Sequence, residues 1–277
     1  LHELDEALQE IRTRTGLGKF EMIGMDACLM GHLEVFAALA PHARYAVASQ
    51  ETEPSLGWAY TAFLEQLVAN PDVTGEALGQ WIVGSYISED QRIVDDQARA
   101  ELVGRGISFG TPSREQLSQH LSQGITLTAI DLSAMPELMN SVNDLAYLLQ
   151  QVNPKAVAQA RTYAQSFTSI FGQSVPPSYI DLGNFVQLLT QTSGSQQVNQ
   201  AASRVLQAMR TAIVAEKHGP GKPGASGVSL YFPNSQLYRS PEAGAQSYTA
   251  IAERFAYGSS WDDFLAFHYT GRPFEPT

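Results

Sequence analysis

The single cysteine of the chain, Cys28, follows an aspartate, Asp26, by two positions, and these are the side chains from which chemistry is most readily read. A thiolate is a nucleophile, whereas one cysteine can form neither an internal disulfide nor a Cys-rich zinc site. Upstream lies the short apolar segment Phe20-Glu21-Met22-Ile23-Gly24-Met25, and downstream Leu29, Leu33, Phe36, Ala37 and Ala40 recur at helical spacing up to Pro41. The pattern predicts Cys28 at a strand-to-helix junction, where a helix amino end favours the thiolate and free N–H groups can hold an oxyanion. The bland alternative is a small buried hydrophobe. Asp26 also has two readings: the N-cap of a helix starting near Leu29, or the floor of a pocket taking an Arg or Lys side chain through a charge-assisted contact.

The surrounding elements must carry these residues. Leu4, Ala7, Leu8 and Ile11 mark a first helix that ends in Thr15-Gly16-Leu17-Gly18. A second buried strand, Arg44-Tyr45-Ala46-Val47-Ala48-Ser49-Gln50, opens into the loop Glu51-Thr52-Glu53-Pro54-Ser55-Leu56-Gly57-Trp58. Strand, helix and strand make a βαβ unit with parallel strands, which implies an α/β sandwich with its site at the carboxyl ends of the strands. Helices are predicted over 60–68 and 74–88, then a polar stretch over 90–124 with no regular structure assigned to its second half. A strand follows at 125–132, helices at 135–152, 154–171, 182–190 and 196–217, a Gly/Pro loop at 219–224, and a late strand at 227–232. Two helices, near 247–255 and 261–269, finish a helix-rich second half.

Composition narrows the function. The 277 residues carry 28 acidic against 17 basic side chains, a net charge of −11 that repels nucleic acid. No apolar run approaches the ~20 residues of a transmembrane helix. The first residues show no start Met, basic region or apolar core of a signal peptide, so a segment internal to a longer precursor is expected. Among the histidines, His32 is expected to be packed or capping, His218 to be a loop residue, and His42, His120 and His268 have no constellation around them. No sequence pattern demands a metal or cofactor.

The segments Ile23-Gly24-Met25-Asp26-Ala27-Cys28-Leu29-Met30, Glu34, and 48–60 from Ala48-Ser49-Gln50 to Gly57-Trp58-Ala59-Tyr60 resemble the core of the clostripain family of cysteine peptidases. The later segments Thr128-Ala129-Ile130-Asp131-Leu132-Ser133, Tyr179-Ile180-Asp181-Leu182, Gly227–Pro233 and Trp261-Asp262-Asp263-Phe264-Leu265 are similar to the same family. The resemblance implies a caspase-like α/β/α sandwich with a mostly parallel sheet, a Cys–His dyad and cleavage after Arg or Lys. It places the nucleophile on Cys28 and the basic-specificity aspartate on Asp26, and makes Ser49, Gln50, Glu51 and Trp58 candidates for substrate binding. It further implies one peptidase domain over 1–277, with a nucleophile and specificity core at 1–100 and a helix-rich remainder at 125–277. Its partners would be a shorter N-terminal chain of the same precursor, bearing the catalytic His and separated by autoprocessing, and a peptide or protein substrate. Calcium dependence and a secreted or cell-envelope location also follow from the resemblance alone.

Two departures from the family pattern stand out. Basic-specific relatives add a second acidic residue near the Gly-Trp of the loop, where this chain has Ser55, Leu56 and Ala59; Glu51 and Glu53 are close, and a solvated loop is expected for both. The family His followed by Gly is not found before Cys28, since His2 is followed by Glu3. The alternatives are an inactive scaffold on the same fold and a peptidase with non-basic specificity.

Overall fold

The computed structural model describes residues 1–104, 112–169 and 174–275. Six strands run through them: β1 (Phe20–Met25), β2 (Ala43–Ala48), β3 (Thr126–Asp131), β4 (Tyr179–Asp181), β5 (Ile213–His218) and β6 (Ser229–Tyr231). The main sheet has the order β1-β2-β3-β5, and β4 and β6 form a separate antiparallel pair. Helices α1 (His2–Thr15), α2 (Leu33–Leu39), α3 (Tyr60–Ala69) and α4 (Gly75–Ser85) precede β3.

The βαβ expectation holds for its own unit: β1 and β2 are parallel, with Met25 opposite Ala48, and α2 crosses between them. The mostly parallel sheet does not. β2 pairs antiparallel with β3, and β3 antiparallel with β5, so the sheet is mixed. The reason is the connection: after β2 the chain runs through α3, α4 and further helices before β3, and it enters the sheet from the opposite end. A short crossover enforces parallel pairing and a long excursion does not. One consequence matters for the site. The carboxyl ends of β1, β2 and β5 and the amino end of β3 share one edge of the sheet.

Alternation along the strands coats both faces. Val47, Leu127 and Ala129 face a cluster built from Trp58, Phe63, Ile82, Val83 and Tyr86. Ala46, Ala48 and Ile130 face the larger cluster, in which α2 is joined by the helices Met135–Leu149, Leu182–Thr192 and Gln196–Ala212. The layers approach closely: a Cβ on Gly79 of α4 would lie 2.8 Å from the Ala129 methyl.

Other boundaries shift for local reasons. The helix expected over 196–217 ends at Ala212, because the β-branched pair Ile213-Val214 opens β5. The helix expected over 154–171 ends at Tyr163, and Phe171 lies outside the described residues. The polar stretch holds helices Gln91–Val94, Asp96–Gly104 and Arg114–Leu121, the last begun by a Ser113/Gln116 capping box; residues 105–111 lie outside those described. β4 was not expected as a strand, and β6 falls inside the late strand placed at 227–232.

Asp181 ties the two sheets together. It caps the helix Leu182–Thr192 by accepting from Asn184 N at 2.8 Å. It also accepts from Ser226 N and Oγ, each at 2.6 Å, and from Gln50 Nε2 at 3.0 Å. Gln50 in turn accepts from Gly227 N at 3.0 Å. Burial pushes the Asp181 carboxyl up, against those four donors. Removing it leaves buried donors unpaired, so Asp181→Ala is expected to lower unfolding stability by about 3 kcal/mol. A urea titration showing no loss would contradict that role.

Candidate active site

Cys28 does not begin a helix. The chain leaves β1 at Met25, turns through Ala27-Cys28-Leu29, and α2 starts only at Leu33, so the helix-terminus argument for the thiolate fails. The helix expected from Leu29 is prevented by backbone shape: Leu29 has φ 64, a left-handed conformation rare for a side chain of this size. The loop is strapped to the end of β2 by Leu29 N to Glu51 O at 3.1 Å and Gly31 N to Ser49 O at 2.6 Å. Gly31 is required there, since a Cβ would stand 2.7 Å from the Ser49 and Gln50 backbone. The result is an exposed thiol whose Sγ accepts from Glu53 N at 3.3 Å. The Cys28 N–H itself has no backbone partner among the described residues.

Beside the thiol lies a carboxyl pair. Asp26 Oδ2 accepts from Tyr60 OH at 2.9 Å and from Trp58 N at 3.4 Å. It does not cap a helix. Gly57, at φ 66, lets the loop pass so close that a Cβ would lie 2.7 Å from Asp26 Oδ2. The Trp58 ring is 4% exposed, packs against Gly24, and donates Nε1 to Glu53 Oε1 at 3.3 Å. The other Glu53 oxygen, Oε2, is buried with no donor group to bond it, and the Glu53 carboxyl stands against that of Asp26. Two carboxylates repel, and two acceptors can bond only if one carries a proton. Burial and the neighbouring Asp26 accordingly push Glu53 up to about 8. The solvated loop expected for this residue is therefore corrected: Glu53 turns inward against Asp26.

The structure brings Cys28, Asp26 and Trp58 together, as expected, and adds Glu53. It turns the other three candidates into the protein. Ser49 Oγ bonds Glu51 O and Thr126 Oγ1, each at 2.9 Å, and Gln50 is spent on Asp181 and Gly227. Glu51 is 3% exposed, ion-paired with Lys222, and accepts from Thr52 N at 2.7 Å and Thr168 N at 3.2 Å. Burial opposes its charge, but Lys222 and Thr168 outweigh it and hold the carboxyl low. These three side chains are buried and hold the loop.

All six histidines are described, and none is hydrogen-bonded to Cys28. His32 is buried, with Nδ1 2.9 Å from Glu34 Oε2 and its ring against Tyr179. His218 ends β5 and pairs with Glu216 at 2.8 Å. His2 pairs with Glu6 and Glu253, His42 with Asp5, His268 packs on Phe232 and Phe264, and His120 is exposed. Among the described residues no group of three His, Cys, Asp or Glu side chains is placed to hold a metal. No helix among them is long and apolar enough to cross a membrane.

Comparison with known proteins bears on this arrangement. The fold is similar to a secreted C11 cysteine protease from Bacteroides thetaiotaomicron in complex with an irreversible peptide inhibitor: 17% identity, TM-score 0.55, covering 92% of this chain and 62% of that one. It is also similar to a clostripain from the same species in complex with a peptide inhibitor, at 16% identity and TM-score 0.54, covering 90% and 92%. An inactive zymogen C11 protease from Parabacteroides distasonis has 14% identity and TM-score 0.54, covering 95% and 61%. The chain thus spans less than two thirds of the length of the first and third. No curated protein matches it. The sequence profile of the clostripain family matches residues 1–267, and on that match the chain belongs to the clostripain family of peptidases.

Proposed function

We propose that the chain is the nucleophile-bearing part of a cysteine endopeptidase that cleaves after Arg or Lys. One observation carries this reading: Asp26 and the half-buried Glu53, beside Trp58, lie directly against the Cys28 loop, and the Glu53 N–H touches the thiol. A pocket with two carboxyls and one exposed nucleophile at its mouth suits a cationic side chain just before a scissile bond. The clostripain structure from B. thetaiotaomicron holds the inhibitor BTN-VLTK-AOMK, whose peptide part ends in lysine, which agrees with the charge of this pocket.

In this mechanism a histidine takes the Cys28 proton, and the thiolate attacks the carbonyl carbon as the Cys28 N–H holds the oxyanion. The C–N bond breaks, the leaving amine takes the proton from histidine, and water hydrolyses the thioester to release the acid and restore the thiol. The base would come from a shorter, N-terminal chain of the same precursor. β1 offers a place for it: this strand pairs with β2 on one side and has no strand on the other among the described residues. A strand added there would end beside Cys28, in a caspase-like arrangement. Autoprocessing and export belong to the same proposal; relatives include a zymogen and a secreted protease. Ser49, Gln50 and Glu51 would act on the substrate only by holding the loop.

The lack of a bonded histidine favours a second reading, an inactive scaffold. Intact mass and N-terminal sequencing of the purified protein separate the two. The peptidase predicts a second, His-bearing chain that copurifies, an uncut precursor for Cys28→Ala, and no hydrolysis by that variant; the scaffold predicts neither chain nor cleavage. Asp26→Asn is expected to lower kcat/KM for Arg and Lys substrates by about 100-fold, the loss of one partner of a desolvated charge pair. The pair also sets a pH dependence. Glu53, at about 8, holds a proton at pH 6 and loses it as the pH rises through 8. The Kd of an arginine amide peptide for assembled Cys28→Ala protein should therefore fall about tenfold from pH 6 to pH 9, and Glu53→Gln should abolish the slope. An unchanged slope in Glu53→Gln would count against the shared proton.

A further inference from the structure

In the segment Gly57-Trp58-Ala59-Tyr60, Gly57 lets the loop pass close to Asp26 and Trp58 bonds Glu53, while Tyr60 reaches the Asp26 carboxyl itself. Tyr60 opens α3 and is 47% exposed, yet its ring is held. It lies tilted on the buried Phe63, with ring centroids 5.3 Å apart, and nearly parallel to the Trp58 ring, at 6.4 Å and 22°. The backbone beneath is tied as well, since Tyr60 N donates to Trp58 O at 2.9 Å. Packing of this kind fixes where the end of a side chain points.

The phenol donates to Asp26 Oδ2 at 2.9 Å, an ordinary hydrogen-bond length, whereas the bond from Trp58 N to the same atom, at 3.4 Å, is long. Asp26 is exposed just past the carboxyl end of β1, so packing does little to hold its side chain. An exposed carboxylate changes rotamer at little cost. A donor that fixes Oδ2 also fixes the plane of the group, and with it the direction in which Oδ1 presents its lone pairs. Burial and the bond to Asp26 push Tyr60 up to about 12, so it stays a donor throughout the neutral range.

We propose that Tyr60 is a positioning residue for substrate specificity: through its hydrogen bond to Oδ2 it holds the Asp26 carboxylate in the orientation that receives a basic side chain before the scissile bond. The proposal rests on the reading of the pocket as a site for Arg or Lys. The effect falls on binding, because the cation meets Asp26 in the ground state and the transition state alike. An arginine fork is planar and directional, whereas an ammonium is a compact charge with three rotatable donors, so the orientation of Asp26 matters more to arginine.

The test uses the assembled enzyme and peptides that differ only in carrying Arg, Lys or norleucine before the scissile bond. Tyr60→Phe keeps the ring and removes the donor. It should raise KM about tenfold for Arg, less for Lys and not at all for norleucine, with kcat unchanged, the size expected when a carboxylate loses a hydrogen bond. The norleucine peptide reports on the intact fold. Because Tyr60 acts through Asp26, the same substitution added to Asp26→Asn should leave the KM for Arg where Asp26→Asn alone sets it. An unchanged KM for Arg, an equal change for all three peptides, or a further tenfold rise in the Asp26→Asn background would overturn the assignment. Failure of the underlying reading looks different: the wild type itself would show no preference for Arg or Lys over norleucine, and the assignment would fall with it.

Discussion

Two carboxyl groups cannot share a dry pocket with both charges present unless a cation or a proton stands between them. That constraint organises the site. Glu53 is drawn inward by the Trp58 indole and pressed against Asp26, so in the empty protein it keeps its proton up to about pH 8. In the proposed function a basic side chain arriving between the two would replace that proton. The proton on Glu53 removes one of the two negative charges that would otherwise stand beside the apolar cluster of Trp58, Phe63 and Tyr86.

The loop that holds Glu53 depends on contacts from far along the chain. Glu51 is fixed by Lys222 and by the Thr168 N–H, Ser49 by Thr126, and Gln50 by Asp181 and Gly227. Each partner comes from a segment beyond β2, and Thr126 is among them because the sheet is mixed. β3 brings its amino end, with Thr126, to the same edge as the carboxyl ends of β1 and β2. Ser49, Gln50 and Glu51 are thus the frame on which the carboxyl pair and the thiol keep their spacing.

The sequence made some of this legible and hid the rest for physical reasons. Period-two apolar runs and the short crossover through α2 sufficed for β1, β2 and the position of Cys28 between them. They reached the strand at 125–132 but not its antiparallel pairing, which depends on a long helical excursion, nor β5, where a strand continues straight from a helix. Asp26 was readable because a carboxylate at a strand end is costly without a purpose. Glu53 was not, because burial of a loop residue leaves no period, and Glu51 and Glu53 look alike in sequence although one is ion-paired and the other meets Asp26.

The most direct measurement is the crystal structure of the assembled enzyme after Cys28 has been alkylated by an irreversible inhibitor whose peptide ends in lysine. The account predicts a thioether to Cys28 Sγ, with the lysine ammonium between the Asp26 and Glu53 carboxyls and the Trp58 ring along its aliphatic stem. A lysine side chain lying in solvent, with the two carboxyls still in contact, would contradict it.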